Sequence, residues 1–143
     1  MAEWGEFTIE VFGSAANSLW TKESDIDLEI SLPDFMDENP CNILSCVQAA
    51  LEPISLEADK VFGSRIPLIK VSLDNPKAEV DISVNNPLAI HNSRLLYSYF
   101  VLDQRVHILC KSFKLILKQN EVLDGSKRYL STYCMCMMVI AYL

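Results

Sequence analysis

Asp25 and Asp27 stand two residues apart in the alternating run Asp25-Ile26-Asp27-Leu28-Glu29-Ile30. In an extended strand that spacing projects both carboxylates from one face, with their backbone positions roughly 7 Å apart. Two like charges so placed repel each other. The pairing makes chemical sense if a hard divalent cation lies between them, because Mg²⁺ takes oxygen ligands and binds through one or two carboxylates together with substrate phosphates. A third acid, Asp81, sits in a second alternating run, opposite Val80, Ile82 and Val84. Three acids meeting on one sheet face could hold two ions, the arrangement that clamps the attacking and leaving oxygens of a phosphoryl transfer. An acidic pair on a strand is by itself more often a solvated face than a metal site. What raises its weight here is Gly13-Ser14 at the end of the preceding strand. A glycine lets backbone N–H groups approach a phosphate, and a serine hydroxyl adds a donor.

The elements that must position these residues can be read from hydropathy period. Thr8 to Phe12 alternates as a strand, and Gly13-Ser14 closes it in a tight turn. Ala15 to Ser24 reads as loop or short helix. The next strand puts Ile26, Leu28, Ile30 and Leu32 on one face and Asp25, Asp27 and Glu29 on the other, an acidic face expected to lie outside the core. An acidic loop from Asp34 to Asn39 leads to Asn39-Pro40, which starts a helix with Ile43, Leu44, Val47 and Leu51 in one stripe, ending at Pro53. Val61 to Phe62 and Ile66 to Leu73 read as strands, Asp74-Asn75-Pro76 as a turn, and Glu79 to Val84 as another strand. After Asn86-Pro87 the period changes. Leu88 to Phe100 reads as a helix, and Asp103 starts a second with Val106, Leu109, Cys110, Phe113 and Leu117 as its buried stripe. Leu130 to Leu143 reads as a third. Strands first and helices second imply an α+β domain over residues 1–87 joined to the beginning of an all-helical one over 88–143.

Composition bounds the chemistry. The 143 residues are half apolar and 22% charged, as in a folded soluble domain. A net charge of −7 excludes a surface that is basic throughout, so a polyanionic partner must meet a local patch or a bound metal. Cys41, Cys46, Cys110, Cys134 and Cys136 are odd in number, lack a C-x-x-C pair and sit in apolar runs, which reads as buried thiols of a reducing compartment. The N-terminus carries neither the basic nor the apolar stretch of a secretory signal. The apolar run Cys134 to Leu143 falls short of the roughly 20 residues that cross a bilayer, so no membrane is expected as a partner. That run is apolar on every side and ends without a cap, so the chain is expected to be a piece of a longer one.

Several motifs taken together carry a resemblance. Phe12-Gly13-Ser14, then Ser24-Asp25-Ile26-Asp27-Leu28, then Val80-Asp81-Ile82-Ser83 resemble the signature of the DNA polymerase β-like nucleotidyltransferases. Arg65-Ile66-Pro67-Leu68-Ile69-Lys70, the stretch from Asp81 through Asn85-Asn86-Pro87 to Asn92-Ser93, and Leu130-Ser131-Thr132-Tyr133 are similar to the noncanonical poly(A) polymerases and terminal uridylyltransferases. The match runs in order from about Phe12 to the last residue. It implies a nucleotidyltransferase palm followed by the start of a helical domain, and it implies transfer of UMP or AMP from UTP or ATP to an RNA 3′ end, in the cytoplasm by default, with nucleus or organelle open.

The resemblance also assigns residues. Asp25, Asp27 and Asp81 would hold two Mg²⁺ or Mn²⁺ ions, with Asp81 nearest the RNA 3′ hydroxyl. Gly13 and Ser14 would hold the triphosphate, Asn86 and Asn92 the ribose. Lys111, Lys114 and Lys118 share a helix face by spacing, opposite the apolar stripe, and would ordinarily be solvated. Lys114 and Lys118 match the two lysines of a K-x-W-A-K element that meets the triphosphate, with Ile116 in place of the tryptophan. Thr132 would offer a hydroxyl to phosphate and Tyr133 would stack on the base, although a helix cap and a core ring are the plain alternatives. His91 receives no chemical role. Two other readings remain at this level: a catalytically silent remnant or interaction module, and a minimal nucleotidyltransferase acting on a non-RNA substrate.

Overall fold

The computed structural model describes residues 6–33, 39–55, 57–74, 76–123 and 129–143. In chain order the elements are β1 (Thr8–Phe12), α1 (Gly13–Ala16), β2 (Ile26–Ser31), α2 (Pro40–Leu51), β3 (Glu57–Val61), β4 (Leu68–Asp74), β5 (Lys77–Val84), α3 (Pro87–Leu102), α4 (Gln104–Gln119) and α5 (Thr132–Tyr142). The strands form one mixed sheet in the order β1-β2-β5-β4-β3, with β2 and β5 parallel and the other pairs antiparallel. The parallel pair is a crossover that spans α2, β3 and β4, so the two acidic strands, distant in sequence, become neighbours. The mixed sheet with flanking helices agrees with the α+β reading.

Alternation along the strands decides which face meets which layer. Ile30, Ile69, Val71, Val80, Ile82 and Val84 are buried against Ile43 and Leu44 of α2. Asn39 starts that helix by accepting the Cys41 N–H at 2.9 Å, with Pro40 at its first position. A second apolar cluster joins Leu96 and Phe100 of α3, Val106 and Cys110 of α4 and Met135, Cys136 and Val139 of α5 to Leu19 from the α1–β2 connection. Asp103 caps α4 by accepting the Arg105 N–H at 2.9 Å, and Ser131 caps α5 by accepting the Cys134 N–H at 3.1 Å. Among the described residues no helix is long and apolar enough to cross a membrane.

Several expectations change. Gly13-Ser14 opens a one-turn helix instead of closing a tight turn. β4 begins after Pro67, which lacks the N–H a ladder needs, and β3 begins before Val61. Phe113 is 44% exposed while Lys114 is 7% exposed, so the buried arc of α4 runs through Val106, Cys110 and Lys114. The lysine lies on the packed side because α4 leans on the α1–β2 connection as well as on α3 and α5. Of the cysteines only Cys110 and Cys136 are buried; Cys46 and Cys134 are exposed. The expected acidic loop at 34–38, Asn75 of the turn and residues 1–5 of the N-terminus lie outside the described residues.

The largest departure is Glu29. It was placed on the outer acidic face, yet it is completely buried, under the start of α3. Its oxygens accept the Ser83 hydroxyl at 2.6 Å and the Asn86 N–H.

Candidate active site

The sheet register builds one row of side chains across all five strands. Phe12 pairs with Asp27, Asp27 with Asp81, Asp81 with Lys70 and Lys70 with Asp59. In-register neighbours project from the same face, so Asp27 and Asp81 stand side by side on the face opposite α2. Asp25 precedes β2 by one residue. The charges crowd. Burial, reinforced by the carboxylates of Asp81 and Asp25 and opposed by Lys114 and Lys70, pushes Asp27 up to about 6. Lys70 Nζ donates to both oxygens of Asp81, at 2.8 and 3.0 Å. Burial works to lower the Lys70 ammonium, but the Asp81 contact outweighs it and holds that group above its ordinary range.

Gly13 meets this row from above. Its φ is +64, a left-handed conformation that favours glycine, and a Cβ there would stand 2.0 Å from Asp27 Oδ2. The Gly13 N–H donates to Ser93 Oγ at 2.7 Å, and that hydroxyl donates to the Ala89 carbonyl at 2.9 Å. Ser93 thereby ties α1 to α3.

A cleft of about 410 Å³ opens over these residues. Gly13, Ser14, Asp25 and Asp27 line its sheet side, Asn92 comes from α3, Lys114 and Lys118 from α4, and Thr132 and Tyr133 from the first turn of α5. A smaller cleft of about 170 Å³ shares Phe12 and Asp27 with the first and contains Asp81 and Asn86. Asp27 thus borders both hollows, while Asp81 lines the smaller one. Every residue given a site role by the resemblance lines one or the other.

The lysines are engaged differently from a free basic stripe. Lys114 Nζ donates to the Leu19 carbonyl at 3.0 Å and to Ser24 Oγ at 3.3 Å; burial, then the neighbouring Lys118 charge, lowers its ammonium below the ordinary range. Lys118 Nζ donates to the Glu23 carbonyl at 2.8 Å, and His107 Nε2 contacts the Ser18 carbonyl at 3.1 Å. Together they fasten the segment leading into Asp25 against α4. Asn86 occupies the N-cap position of α3, but its side chain makes no capping bond. Four contributors escaped the sequence reading: Glu29, Lys70, Ser93 and the buried Asn17, whose Oδ1 accepts the Leu19 N–H at 3.1 Å. Lys70 could have been found only from the β4–β5 register, and Ser93 only from the packing of α1 on α3.

The sequence model of a family described as "Poly(A) RNA polymerase, mitochondrial-like, central palm domain" matches residues 1–101. The chain belongs to this family. Human "Terminal uridylyltransferase 7" is 32% identical over 144 residues, covering 94% of this chain and 9% of the relative. Zebrafish (Danio rerio) "Poly(A) RNA polymerase GLD2" is 29% identical over 139 residues, covering 92% of this chain and 28% of the relative. Among solved structures, mtPAP in complex with UTP superposes with a TM-score of 0.86 at 25% identity, covering 99% of this chain and 34% of that one. The Cid1 poly(U) polymerase with Mg and 3′-dATP bound gives 0.83 at 31% identity, covering 96% and 43%. The chain therefore spans less than half the length of these palm-family relatives.

The family raises the question of a divalent cation, and the donor chemistry fits one. Carboxylate oxygens suit a hard ion, and the opposition of Asp81 and Asp25 to the charge on Asp27 is what a cation between them would relieve. Among the described residues no three acidic, histidine or cysteine side chains are grouped closely enough to form a finished ligand set. Lys70 Nζ stands 2.8 Å from Asp81 Oδ2 beside this pair.

Proposed function

We propose that this chain forms the palm (1–87) and the first part of the helical domain (88–143) of an RNA 3′-terminal nucleotidyltransferase. It would add UMP or AMP from UTP or ATP without a template and release pyrophosphate. The observation that carries this reading is the in-register Asp27–Asp81 pair, whose Asp27 borders two clefts, one walled by Gly13, Ser14 and two lysines, the other reaching Asp81 and Asn86.

In this reading the triphosphate lies along Gly13 and Ser14, with Lys114, Lys118 and Thr132 offering donors. Tyr133 stacks on the base, and Asn86 and Asn92 hold the ribose. Asp81 accepts the proton of the RNA 3′ hydroxyl as its oxygen bonds to the α-phosphorus, and the bond to the β-phosphate oxygen breaks in line. Asp25, Asp27 and Asp81 would hold two Mg²⁺ or Mn²⁺ ions, which supply charge neutralisation to the attacking and leaving oxygens. Positioning and electrostatics thus carry almost all of the catalysis.

The test is extension of a labelled RNA primer by the full-length protein with each nucleoside triphosphate in turn. Extension with UTP or ATP is expected, and Asp81→Ala is expected to abolish it without loss of fold. Undiminished extension by that variant would sink the reading. One contact favours a catalytically silent module instead, namely Lys70 already occupying both oxygens of Asp81. That alternative predicts neither metal-dependent nucleotide binding nor extension under any metal.

A further inference from the structure

The Glu29 carboxyl group has no exposed surface, and that is costly unless its hydrogen bonds repay the lost hydration. It lies two residues beyond Asp27 on the same strand face and pairs in register with Ser83, two residues beyond Asp81. Its two oxygens divide their work. Oε2 accepts the Ser83 hydroxyl at 2.6 Å, fastening β2 to β5 just past the acidic pair. Oε1 accepts the Asn86 N–H, the backbone donor at the start of α3. Helices begin with unsatisfied N–H groups that favour a negative charge, and the N-cap side chain ordinarily satisfies one of them. Here the Asn86 side chain makes no such bond. Glu29 instead holds the N–H of the N-cap residue itself, the bond a capping-box carboxylate makes, from a strand far away in sequence, and Asn86 lines the smaller cleft with Asp27 and Asp81. The junction is held from a second side. Asn85, in a left-handed conformation at φ +50, donates its N–H to the Ile30 carbonyl at 3.0 Å and accepts the Leu32 N–H on Oδ1 at 2.9 Å.

We propose that Glu29 is a positioning residue of this active centre: from within the sheet it holds the backbone N–H of Asn86 at the start of α3, and so sets where Asn86 stands relative to Asp27 and Asp81. The inference rests on the nucleotidyltransferase reading for its kinetic consequence, but not for its structural one. A leucine of similar size would fill the space and satisfy the core. It would leave the Asn86 N–H and the Ser83 hydroxyl without their acceptor and free the start of α3 from the sheet.

The test uses the full-length protein with Glu29→Ala, Glu29→Asp and Glu29→Gln. Losing a charge-assisted hydrogen bond corresponds to a change of about tenfold. Glu29→Ala is therefore expected to raise the KM for the nucleotide about tenfold while kcat changes less. Glu29→Asp keeps the charge but is one methylene too short to hold both partners, and should behave like Glu29→Ala; it stands in if the alanine variant does not fold. Glu29→Gln retains an acceptor for the Asn86 N–H, and Ser83 can turn to accept from its amide, so KM should return to within about threefold of wild type. Simple destabilisation would instead lower the active fraction, and hence kcat, at unchanged KM; that pattern overturns the proposal. A second readout does not need turnover. Amide hydrogen exchange at 86–90 should accelerate in Glu29→Ala and Glu29→Asp, against unchanged exchange in α2. Uniform acceleration, or none, overturns the positioning role even in a protein that adds no nucleotide. Absence of extension by the wild type would instead count against the nucleotidyltransferase reading alone.

Discussion

Gly13→Ala offers the sharpest test of how closely the turn at Gly13 is fitted to the acidic row. The added Cβ would lie 2.0 Å from Asp27 Oδ2 and 2.8 Å from its Cγ. Non-bonded heavy atoms rest at roughly 3.5 Å, so the carboxylate or the turn must retreat by more than about 1 Å. A displacement of about 1 Å at a reacting centre costs on the order of 100-fold in rate, or about 2.7 kcal/mol. Independently, an alanine held at the φ of +64 found at Gly13 bears a backbone penalty of roughly 1–2 kcal/mol. For a domain of this size that corresponds to a fall in Tm of about 3–10 °C. The expected outcome is thus a kcat/KM for primer extension about 100-fold lower at 25 °C, in a protein whose melting curve still shows it fully folded there. Gly63→Ala is the control, because a Cβ there meets nothing within 4 Å. The reasoning is refuted if Gly13→Ala extends the primer within about threefold of wild type, or if its loss merely tracks the unfolded fraction.

The Asp27 carboxyl is raised from 3.8 to about 6 by burial and by Asp81 and Asp25, so the fold binds more protons than the unfolded chain between those values. Stability of the metal-free protein should then fall as pH rises from about 4 to about 6 and stay lower above it. Asp27→Asn removes this penalty and should be more stable at pH 8 by on the order of 1–2 kcal/mol after allowance for partial exposure, while losing primer extension. Melting both proteins at pH 4 and pH 8 checks this, and a stability difference independent of pH would contradict it. Lys114→Met leaves the Leu19 carbonyl and Ser24 without their donor in a buried position, and should cost about 1–3 kcal/mol in urea unfolding. Lys118→Met, at an exposed position, should stay within about 0.5 kcal/mol. Equal losses would mean that Lys114 is not the strut its contacts describe.

Much of this was legible before any coordinates. The period of two in Ile26 to Leu32 and in Val80 to Val84, and the change of period after Pro87, depend on local chain geometry, so the strand and helix order could be read directly. The caps at Asn39 and Asp103 follow from the same local chemistry. The motif residues were legible too, because Gly13-Ser14 and the D-x-D pair carry their meaning in short spacings.

What the sequence could not state was which side of a helix or strand becomes covered. Phe113 looked buried and Lys114 solvated by helical spacing, yet a carbonyl of the α1–β2 connection waits for the Lys114 ammonium and reverses the order. Glu29 shares its strand face with Asp27, but α3 lies over one and a cleft opens over the other, so one carboxylate is sealed in while the other reaches substrate space. The residues of the site were written in the amino-acid order. Their meeting depended on the parallel pairing of β2 with β5 and on the descent of α3 onto them, because long-range register and layer packing are settled by the competition of all faces for burial, which no short window of sequence contains.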